Sequence, residues 1–295
     1  MKIEDNQTLK GLMFYDIKGW AWWHQINNIA ANQPSDIKID SIKPGSDFDH
    51  QMYDYIVVFE AYFKNIISKV PRDKLIIGCN CPKIMDEFLE SLLLFKPLAG
   101  LVNSLEMYNR SKDYYRVFNC PNGVDEELFN PVFNKKINYT ACWVGNSGHY
   151  VDKGLKQIRQ TCEKSEIPLL TYDLSENKIL LPHVDLRNKI YYKADFYICF
   201  SEYEGTPNPA LEALSCGLPV ITTRVGNMPE IIIDGFNGYF TDRDEGSLYE
   251  AIFKLKSSDL REMSINARNS ILNGWTWKSQ SKNYTDMFRS LKTGI

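Results

Sequence analysis

Short apolar runs alternate with helical patterns along the whole sequence, and this alternation limits the fold more than any other feature. Eight runs have the length and content of buried strands, and they cover residues 11–15, 54–59, 74–79, 99–102, 139–145, 167–172, 195–200 and 218–222. Helical patterns lie between and after them, at 20–32, 60–69, 83–95, 153–165, 185–193, 208–216, 245–256, 258–272 and 276–291. Strands separated by helices pair in parallel, with the helices as crossovers. The sequence therefore predicts an α/β protein with parallel sheets.

A polar segment divides these strands into two series of four. It reads CPNGVDEELFNPVFNKK (120–136) and contains a Pro-Asn-Gly turn signal and a second proline. At 295 residues the chain is long enough for two domains, each with its own core. We therefore predict two doubly wound α/β domains joined by this linker.

Charge and composition exclude several classes of function. The net charge is −3 with 24% charged residues, so binding to nucleic acid is not expected. The N-terminus lacks the apolar core of a signal peptide, and no apolar run reaches the roughly 18 residues of a membrane span. The seven cysteines are scattered, and only Cys79 and Cys81 lie close together. We expect a cytoplasmic protein with reduced cysteines and at most peripheral membrane association. The sequence allows a homo-oligomer but does not decide the oligomeric state.

The stretch SEYEGTPNPALEAL (201–214) connects a predicted strand to a predicted helix that begins near Pro209. In open parallel sheets, ligands bind at the carboxyl ends of strands, beside the N-termini of the following helices. Pro207 and Pro209 have no N–H group, so the donors around this turn belong to Gly205, Thr206, Asn208, Ala210 and Leu211. Because these donors lie at the positive end of a helix dipole, we predict a cradle for a phosphate.

Two carboxylates flank this predicted cradle. Glu204 precedes it and can accept hydrogen bonds from sugar hydroxyls, whereas Glu212 follows it in the first turn of the helix and can bind a ribose diol. One stretch would then contact a sugar, a phosphate and a ribose, which together describe a nucleotide sugar. An acidic loop followed by a glutamate placed only for the helix dipole is the open alternative.

The stretch SEYEGTPNPALEALSCGLPVITTRVGNMPEIIIDGFNGYF (201–240) resembles the signature region of family-4 retaining glycosyltransferases of the GT-B fold. That family has a glutamate, seven residues and a second glutamate, matched here by Glu204 and Glu212. PNGVDEELFNP (121–131) looks like its interdomain segment, and the resemblance extends over about 117–292.

The resemblance implies two Rossmann-like domains that face each other across a cleft. Residues 1–125 would form the acceptor-side domain and 126–275 the domain that binds the nucleotide sugar. The terminal helix, at about 276–292, would pack back on the first domain.

The same resemblance implies roles for the residues of the signature. Glu204 would contact the donor sugar near its transferred carbon, Glu212 would bind the ribose hydroxyls, and the turn at 205–210 would hold the distal phosphate. The donor would be a nucleotide diphosphate sugar of the UDP or GDP type, used as a co-substrate without any cofactor or metal.

The first strand of the second series leads into VGNSGHYVDKGLKQI (144–158). Gly145 permits a tight turn, and Lys153 stands at the start of a helix, where a lysine can neutralise a diphosphate leaving group. A solvated lysine at a helix start is the open alternative. The family usually carries an arginine directly after the first glycine, but this chain has Asn146. Either Lys153 and the helix dipoles suffice, or another cation such as Arg224 or Arg243 helps.

The first domain matches the family only in topology. The strand at 74–79 is followed by Asn80, where the family often has a histidine. The predicted acceptor residues are therefore Asn80 and members of the loop and helix start YDIKGWAWWH (15–24), namely Asp16, Gly19, Trp20 and His24. Packing in the core is the alternative role for at least two of the three tryptophans Trp20, Trp22 and Trp23.

Two Asp-x-Asp strings occur, at 47–49 and 242–244. Such strings bind metal–nucleotide complexes in the other large transferase fold, GT-A, but both lie in polar connectors here. We interpret them as solvated turns and expect no metal site. The helix at 83–95 is amphipathic but carries Asp86, Glu87 and Glu90, which favours core packing over membrane binding.

The sequence thus predicts a retaining, metal-independent glycosyltransferase that moves a sugar from a nucleotide diphosphate sugar to a hydroxyl of a glycan, glycolipid or other acceptor. The alternatives are a binding protein that holds nucleotide sugars without turnover and a nucleotide-sugar epimerase of the same fold. Neither the base, the sugar, the acceptor nor the linkage follows from the sequence.

Overall fold

The computed structural model describes residues 8–19, 21–59, 64–132, 135–149 and 151–293. Contacts divide the chain into two units. Unit 1 contains Met1–Asn122 and Trp277–Ile295, and unit 2 contains Gly123–Thr276. Each unit has one parallel sheet with helices on both faces.

The elements of unit 1 alternate along the chain as strand and helix. Its strands are β1 (Leu9–Phe14), β2 (Ile37–Ile42), β3 (Tyr55–Phe59), β4 (Leu75–Cys79), β5 (Ala99–Val102) and β6 (Val117–Asn119). Its helices are α1 (Ala21–Ala31), α2 (Lys64–Ile67), α3 (Met85–Phe95), α4 (Leu105–Ser111) and, from the end of the chain, α12 (Trp277–Thr293). Short 3₁₀ helices lie at His50–Met52 and Pro82–Ile84.

The sheet of unit 1 has the order β2-β1-β3-β4-β5-β6, and all its pairings are parallel. The side chains of β3 point alternately to the two faces of the sheet, so the strand contributes to two cores. Tyr55, Val57 and Phe59 face one core, and Ile56 and Val58 face the other. The first core is covered by α1 and α12, the second by α2, α3 and α4. The strands are therefore buried on both faces, which explains why they read as continuous apolar runs.

The terminal helix α12 is held against the first core by both apolar and polar contacts. The rings of Tyr55 and Phe288 stack at 5.6 Å. The hydroxyl of the buried Tyr284 donates to the carbonyl oxygen of Cys120 (3.1 Å) and accepts from the side-chain amide of Gln25 (3.1 Å). The end of the chain thus completes the helical layer of unit 1.

The elements of unit 2 follow the same alternation. Its strands are β7 (Ala141–Gly145), β8 (Leu169–Asp173), β9 (Phe196–Cys199), β10 (Val220–Thr222) and β11 (Gly238–Phe240). Its helices are α5 (Leu155–Lys164), α6 (Leu174–Asn177), α7 (His183–Lys189), α8 (Asn208–Ser215), α9 (Met228–Ile231), α10 (Glu245–Lys256) and α11 (Leu260–Leu272), with a 3₁₀ helix at Tyr191–Lys193.

The sheet of unit 2 has the parallel order β11-β10-β9-β7-β8. One core lies under α5 and α10, and the other lies under α7, α8, α9 and α11. Because β7 and β9 are neighbours, the loops that leave their carboxyl ends start side by side. This geometry positions the candidate site.

The prediction of two parallel-sheet α/β domains is confirmed, and each of the eight predicted strands is present. The structure adds three strands that the pattern did not reveal, namely β2, β6 and β11. β2 is an edge strand in which polar residues interrupt the apolar ones, and β6 and β11 have only three residues each. Such short or half-exposed strands carry too little periodicity to be recognised.

Candidate active site

Two loops meet at the carboxyl edge of the sheet of unit 2. One runs from the end of β7 to the start of α5, and the other runs from the end of β9 to the start of α8. They are joined directly, because the backbone N–H of Glu202 donates to the carbonyl oxygen of Asp152 (2.9 Å). The carboxyl edge of a parallel sheet is where ligands bind in folds of this type.

The structure brings the two predicted catalytic residues into contact across these loops. Nζ of Lys153 lies 2.6 Å from Oε1 of Glu204, and their side chains are 18% and 16% exposed. The hydroxyl of Ser201 donates to the same carboxylate oxygen (2.7 Å). The hydrogen bond between Lys153 and Glu204 is short because both partners are charged and partly buried. Ser201, which the sequence did not single out, therefore helps to fix Glu204.

A glycine fixes the position of Lys153 at the start of α5. Gly154 has φ +71°, and a Cβ atom there would lie 2.4 Å from the carbonyl oxygen of Phe200. Its N–H donates to the side chain of Asp152 (2.8 Å). Only glycine fits this left-handed, crowded position, so the backbone of the first loop rests on the end of β9.

A second glycine closes the turn that follows Glu204. Gly226 has φ +51°, and a Cβ atom there would lie 2.0 Å from the carbonyl oxygen of Gly205. The hydroxyl of Thr223 donates to the carbonyl oxygen of Ser201 (2.8 Å). The loop after β10 therefore packs against the loop after β9 and holds it in place.

The predicted phosphate cradle is wrong for three of its five donors. The N–H of Asn208 donates to the carbonyl oxygen of Thr206 (2.9 Å), and those of Ala210 and Leu211 donate to the carbonyl oxygen of Pro207 (2.9 and 3.3 Å). The physical reason is that α8 begins at Asn208, one residue earlier than predicted, so the turn itself uses these groups. Pro209 is consequently the second helical residue, and Gly205 and Thr206 are buried beside it.

Glu212 lies in the second turn of α8 and not in the first, which corrects the expectation from sequence. It is only 8% exposed, and its Oε2 accepts a hydrogen bond from the hydroxyl of Tyr191 (2.7 Å). Burial raises the pKa of Glu212 to about 7, although the hydrogen bond from Tyr191 acts in the opposite direction. A carboxyl group with such a pKa titrates in the physiological range.

The predicted donor residues Gly145 and Asn146 begin the loop after β7. A Cβ atom on Gly145 would lie 2.7 Å from the ring of Trp143, which explains the glycine. The side-chain oxygen of Asn146 accepts from the N–H of Gly148 (3.0 Å), so Asn146 shapes the loop at the position where the family has a cation. Ser147 then ties the loop to the next strand.

That tie is the carboxylate of Asp173, a residue that sequence reasoning missed. Asp173 accepts from the N–H of Ser147 (2.9 Å), from its hydroxyl, and from the N–H and hydroxyl of Ser175 (3.0 Å each). Burial alone would raise the pKa of Asp173, but these hydrogen bonds outweigh it and lower the pKa. The one available signal was an aspartate directly after a predicted strand.

Two further arginines were named as possible substitutes for the missing family cation. Arg243 is paired with Asp152, with Nη2 2.5 Å from Oδ2, and its guanidinium lies 5.8 Å from the ring of Phe200. The guanidinium of Arg224 lies over the ring of Phe240 at 4.0 Å. Arg243 therefore contacts the loop of Lys153 through Asp152, whereas Arg224 packs on Phe240 of β11.

The predicted acceptor residues lie in unit 1, whereas Lys153 and Glu204 lie in unit 2. Asp16 follows β1, and His24 is the fourth residue of α1. Gly19 has φ +83°, and a Cβ atom there would have none of the described atoms within 4 Å. Asn80 directly follows β4, so Asp16 and Asn80 share the carboxyl edge of the sheet of unit 1. The predicted Trp20 lies outside the described residues. Of the neighbouring tryptophans, Trp22 packs against Phe59 at 5.9 Å.

The two Asp-x-Asp strings cap helices. Asp49 accepts from the N–H of Gln51 at the start of a 3₁₀ helix, and Asp244 accepts from the N–H of Ser247 at the start of α10. No group of three or more metal-ligating side chains occurs among the residues that the structure describes. All seven cysteines belong to the described chain and are buried free thiols. Within the same residues, no helix has the length and apolarity to cross a bilayer.

Comparison with known proteins identifies the part of the chain that holds this site. A family model described as "Glycosyl transferases group 1" matches residues 134–258. The N-acetyl-alpha-D-glucosaminyl L-malate synthase of Bacillus anthracis is 40% identical over 81 residues, which are 26% of this chain and 21% of that protein. The first curated relatives are matched over about a quarter of their length or less.

Solved structures match over nearly the whole chain. Sucrose-phosphate synthase from Thermosynechococcus elongatus aligns with a TM-score of 0.71 at 13% identity, covering 97% of this chain and all of that one. HepE from Anabaena, solved in complex with UDP, aligns with a TM-score of 0.66 at 12% identity over 96% and 100% of the two chains. The predicted GT-B fold is thereby confirmed. Residues 134–258, which contain Lys153, Glu204 and Glu212, match the model of the glycosyl transferases group 1 family.

Proposed function

We propose that the protein is a retaining, metal-independent glycosyltransferase that moves a sugar from a nucleotide diphosphate sugar to a hydroxyl acceptor. The observation that carries the proposal is the contact of 2.6 Å between Nζ of Lys153 and Oε1 of Glu204. It lies at the carboxyl edge of a parallel sheet, next to the N-terminal end of α8, and inside the segment that matches the family.

The pair has the two charges that the reaction requires. When a nucleotide diphosphate binds, its phosphate oxygens compete with Glu204 for the ammonium group of Lys153. Lys153 then compensates the charge that develops on the leaving diphosphate. Glu204, still held by the hydroxyl of Ser201, is released to accept hydrogen bonds from the sugar.

The proposed transfer retains the anomeric configuration. The bond between the anomeric carbon and the diphosphate oxygen breaks, and a bond to the acceptor oxygen forms on the same face of the sugar. The proton of the acceptor hydroxyl passes to the departing phosphate oxygen. Lys153 thereby supplies the electrostatic compensation that a metal ion gives in other transferases, which supports metal independence.

The donor that fits this site is a nucleoside diphosphate sugar of the UDP or GDP type. Glu212 offers a carboxylate for the ribose hydroxyls, four residues after the start of α8. A structural neighbour, HepE, has been solved with UDP, which supports a nucleotide of this class. The relatives are matched over only part of their length and do not identify the sugar. A panel of labelled donors is needed to identify it.

The acceptor is proposed to be a hydroxyl of a glycan, a glycolipid or another carbohydrate-like molecule. Asp16, Gly19, His24 and Asn80 are the residues of unit 1 that we assign to it, together with Trp20. The lack of described atoms within 4 Å of a Cβ atom at Gly19 and the position of Asp16 and Asn80 at a carboxyl edge support this assignment.

A binding protein without turnover is the second candidate. It is favoured by Asn146, which hydrogen-bonds within its own loop at the position where the family has a cation. With one cation fewer, the site still binds a diphosphate but compensates less of the charge that develops as the bond to the sugar breaks.

Incubation of the purified protein with a panel of UDP and GDP sugars, each labelled in the sugar, tests the proposal. Slow release of free sugar from one donor, lost in a Glu204→Gln variant, supports a transferase. Tight binding without release identifies the binding protein, and a changed sugar still attached to its nucleotide identifies an epimerase. Activity that survives EDTA would support metal independence, whereas activity restored only by a divalent cation would contradict it.

A further inference from the structure

The buried contact between Tyr191 and Glu212 links a short 3₁₀ helix to the helix α8. Tyr191 is the first residue of the 3₁₀ helix Tyr191–Lys193, and its side chain is fully buried. Its ring meets those of Phe129 (5.9 Å, edge to face) and Tyr197 (6.4 Å). With the ring held by these contacts, the hydroxyl donates a hydrogen bond to Oε2 of Glu212 (2.7 Å).

The two oxygens of Glu212 have different environments. Oε2 accepts a hydrogen bond from the hydroxyl of Tyr191, whereas no described residue hydrogen-bonds to Oε1. Glu212 as a whole residue is 8% exposed and therefore buried. A carboxylate that is held at one oxygen and open at the other can accept hydroxyl donors in one fixed direction.

We propose that Tyr191 is a positioning residue of the nucleotide site: its hydroxyl orients Glu212 and sets the pH range in which that carboxylate accepts the ribose hydroxyls. The proposal rests on the proposed function, because it requires that Glu212 bind a nucleotide. Tyr191 itself does not contact the ligand, and it acts only through Glu212.

The titratable groups around this contact support the assignment of the proton. Burial, together with the neighbouring Glu212, raises the pKa of Tyr191 well above its usual value, so the phenol keeps its proton and always donates. Tyr197 and Cys142 face Tyr191, and Cys216 faces Glu212 from the end of α8; burial also raises the pKa of all three groups, which keeps them neutral near pH 7. Glu212 is thus the group in this cluster that titrates.

The sign of the pH effect follows from the two influences on Glu212. Its pKa of about 7 is the result of burial, which raises it, and of the hydrogen bond from Tyr191, which lowers it. Ribose hydroxyls donate to the ionised form, so nucleotide affinity should increase as the pH rises toward 7 and should then level off. Without the hydroxyl of Tyr191, the pKa rises further and the increase continues to a higher pH.

Calorimetric titration with UDP and GDP between about pH 5.5 and 9 tests this, with wild type, Tyr191→Phe, Glu212→Gln and Tyr197→Phe. The phosphate of the nucleotide also titrates near pH 6, but it does so equally in all four proteins. In Tyr191→Phe the midpoint should move to higher pH, with affinity about threefold to tenfold weaker near pH 7 and a smaller loss near pH 9. Glu212→Gln, which cannot ionise, should show only the titration of the phosphate.

Tyr197→Phe is the matched control. Its hydroxyl is equally buried but donates to the carbonyl oxygen of Val144 (3.0 Å), so it should change stability without moving the midpoint. A double variant Tyr191→Phe/Glu212→Gln gives a second readout. If Tyr191 acts through the ionisation of Glu212, its substitution no longer changes the pH dependence of nucleotide affinity once residue 212 is glutamine.

The outcomes separate the two proposals. A Tyr191→Phe midpoint equal to that of wild type, or an equal effect of Tyr191→Phe on the pH dependence with and without Glu212→Gln, overturns the role of Tyr191 and leaves the proposed function intact. Absence of UDP and GDP binding by wild type at every pH overturns both. Proton release measured in two buffers of different ionisation enthalpy should be largest for Tyr191→Phe near pH 7 and lowest for Glu212→Gln.

Discussion

Lys153 and Glu204 form an ion pair in which Nζ lies 2.6 Å from Oε1; Lys153 lies in the loop that follows β7, and Glu204 lies in the loop that follows β9. The pair is 51 residues apart in the chain. It is brought together because β7 and β9 are adjacent in a parallel sheet, so their carboxyl ends open at the same edge. The ion pair therefore competes with any anionic ligand for the same ammonium group.

Replacing Glu204 with glutamine should separate chemistry from nucleotide binding. Transfer should fall by about 100-fold or more, because an electrostatic group aimed at the reacting sugar is lost. Binding of UDP or GDP should be unchanged or tighter, because Lys153 no longer has to leave a carboxylate. Calorimetry and a transfer assay measure the two effects, with the exposed neighbour Glu202→Gln as control. Equal losses of binding and transfer would contradict the role of Glu204.

Replacing Lys153 with methionine should weaken nucleotide binding as well as transfer. The diphosphate loses its cation in both the ground state and the transition state, so affinity and rate should both fall, the rate by about 100-fold. Lys156→Met, which removes an exposed lysine of the same helix, should leave both quantities close to wild type. A Lys153→Met protein with normal turnover would show that the lysine is only a solvated residue at the start of α5.

Gly154 should tolerate no side chain. Alanine there would meet the carbonyl oxygen of Phe200 at 2.4 Å with φ at +71°, so we expect a loss of about 2–4 kcal/mol in the free energy of unfolding and a displaced Lys153. Gly45→Ala is the matched control, because Gly45 has φ +94° but nothing within 4 Å. It should cost only the backbone strain of about 1 kcal/mol. Urea denaturation compares them, and equal losses would show that the contact with Phe200 is unimportant.

The sequence was sufficient to place these groups at one edge because local periodicity locates buried strands, and a parallel sheet aligns their carboxyl ends. Glu204 and Lys153 follow directly from that argument. The start of α8 could not be placed to the residue, and the difference of one residue changed which N–H groups the turn consumes. Helix boundaries depend on caps and turns whose energies are small and similar among alternatives.

The partners of the site residues were beyond sequence reasoning for a different reason. Tyr191 and Glu212 are 21 residues apart, and Ser147 and Asp173 are 26 residues apart. Each pair meets only because two elements pack in the folded unit. A tyrosine in the string IYYKAD and an aspartate in TYDLSEN carry no periodic or motif signal of such a contact. Long-range polar pairs of this kind become visible only with the tertiary structure.

Replacing Asp173 with asparagine should loosen the loop that carries Asn146. An amide cannot accept all the hydrogen bonds that the carboxylate accepts from Ser147 and Ser175, so we expect a loss of about 1–3 kcal/mol in the free energy of unfolding. The donor KM should rise by about threefold to tenfold, with a smaller change in kcat. Glu176→Gln in α6, the helix that Asp173 caps, breaks only an exposed pair with Arg159 and should change either quantity little. A normal KM in Asp173→Asn would show that this loop does not contribute to donor binding.

Glu212 should make the stability of unit 2 depend on pH with a defined sign. Its folded pKa, about 7, lies above the ordinary value of 4.5, because burial penalises the charged form. Below about pH 4.5 the group is neutral in both the folded and the unfolded states, and its contribution to stability is complete. As the pH rises to about 7 the unfolded chain ionises first, so that contribution is lost.

The measurement compares wild type with Glu212→Gln, whose amide still accepts the hydrogen bond of Tyr191 but does not titrate. The free energy of unfolding of the glutamine variant minus that of wild type should rise by about 3 kcal/mol between about pH 4.5 and 7 and stay constant above. Urea denaturation at a series of pH values, without nucleotide, gives this difference directly, since all other titrating groups cancel between the two proteins. A difference that is flat across the window, or that falls with rising pH, would mean that folding does not raise the pKa of Glu212.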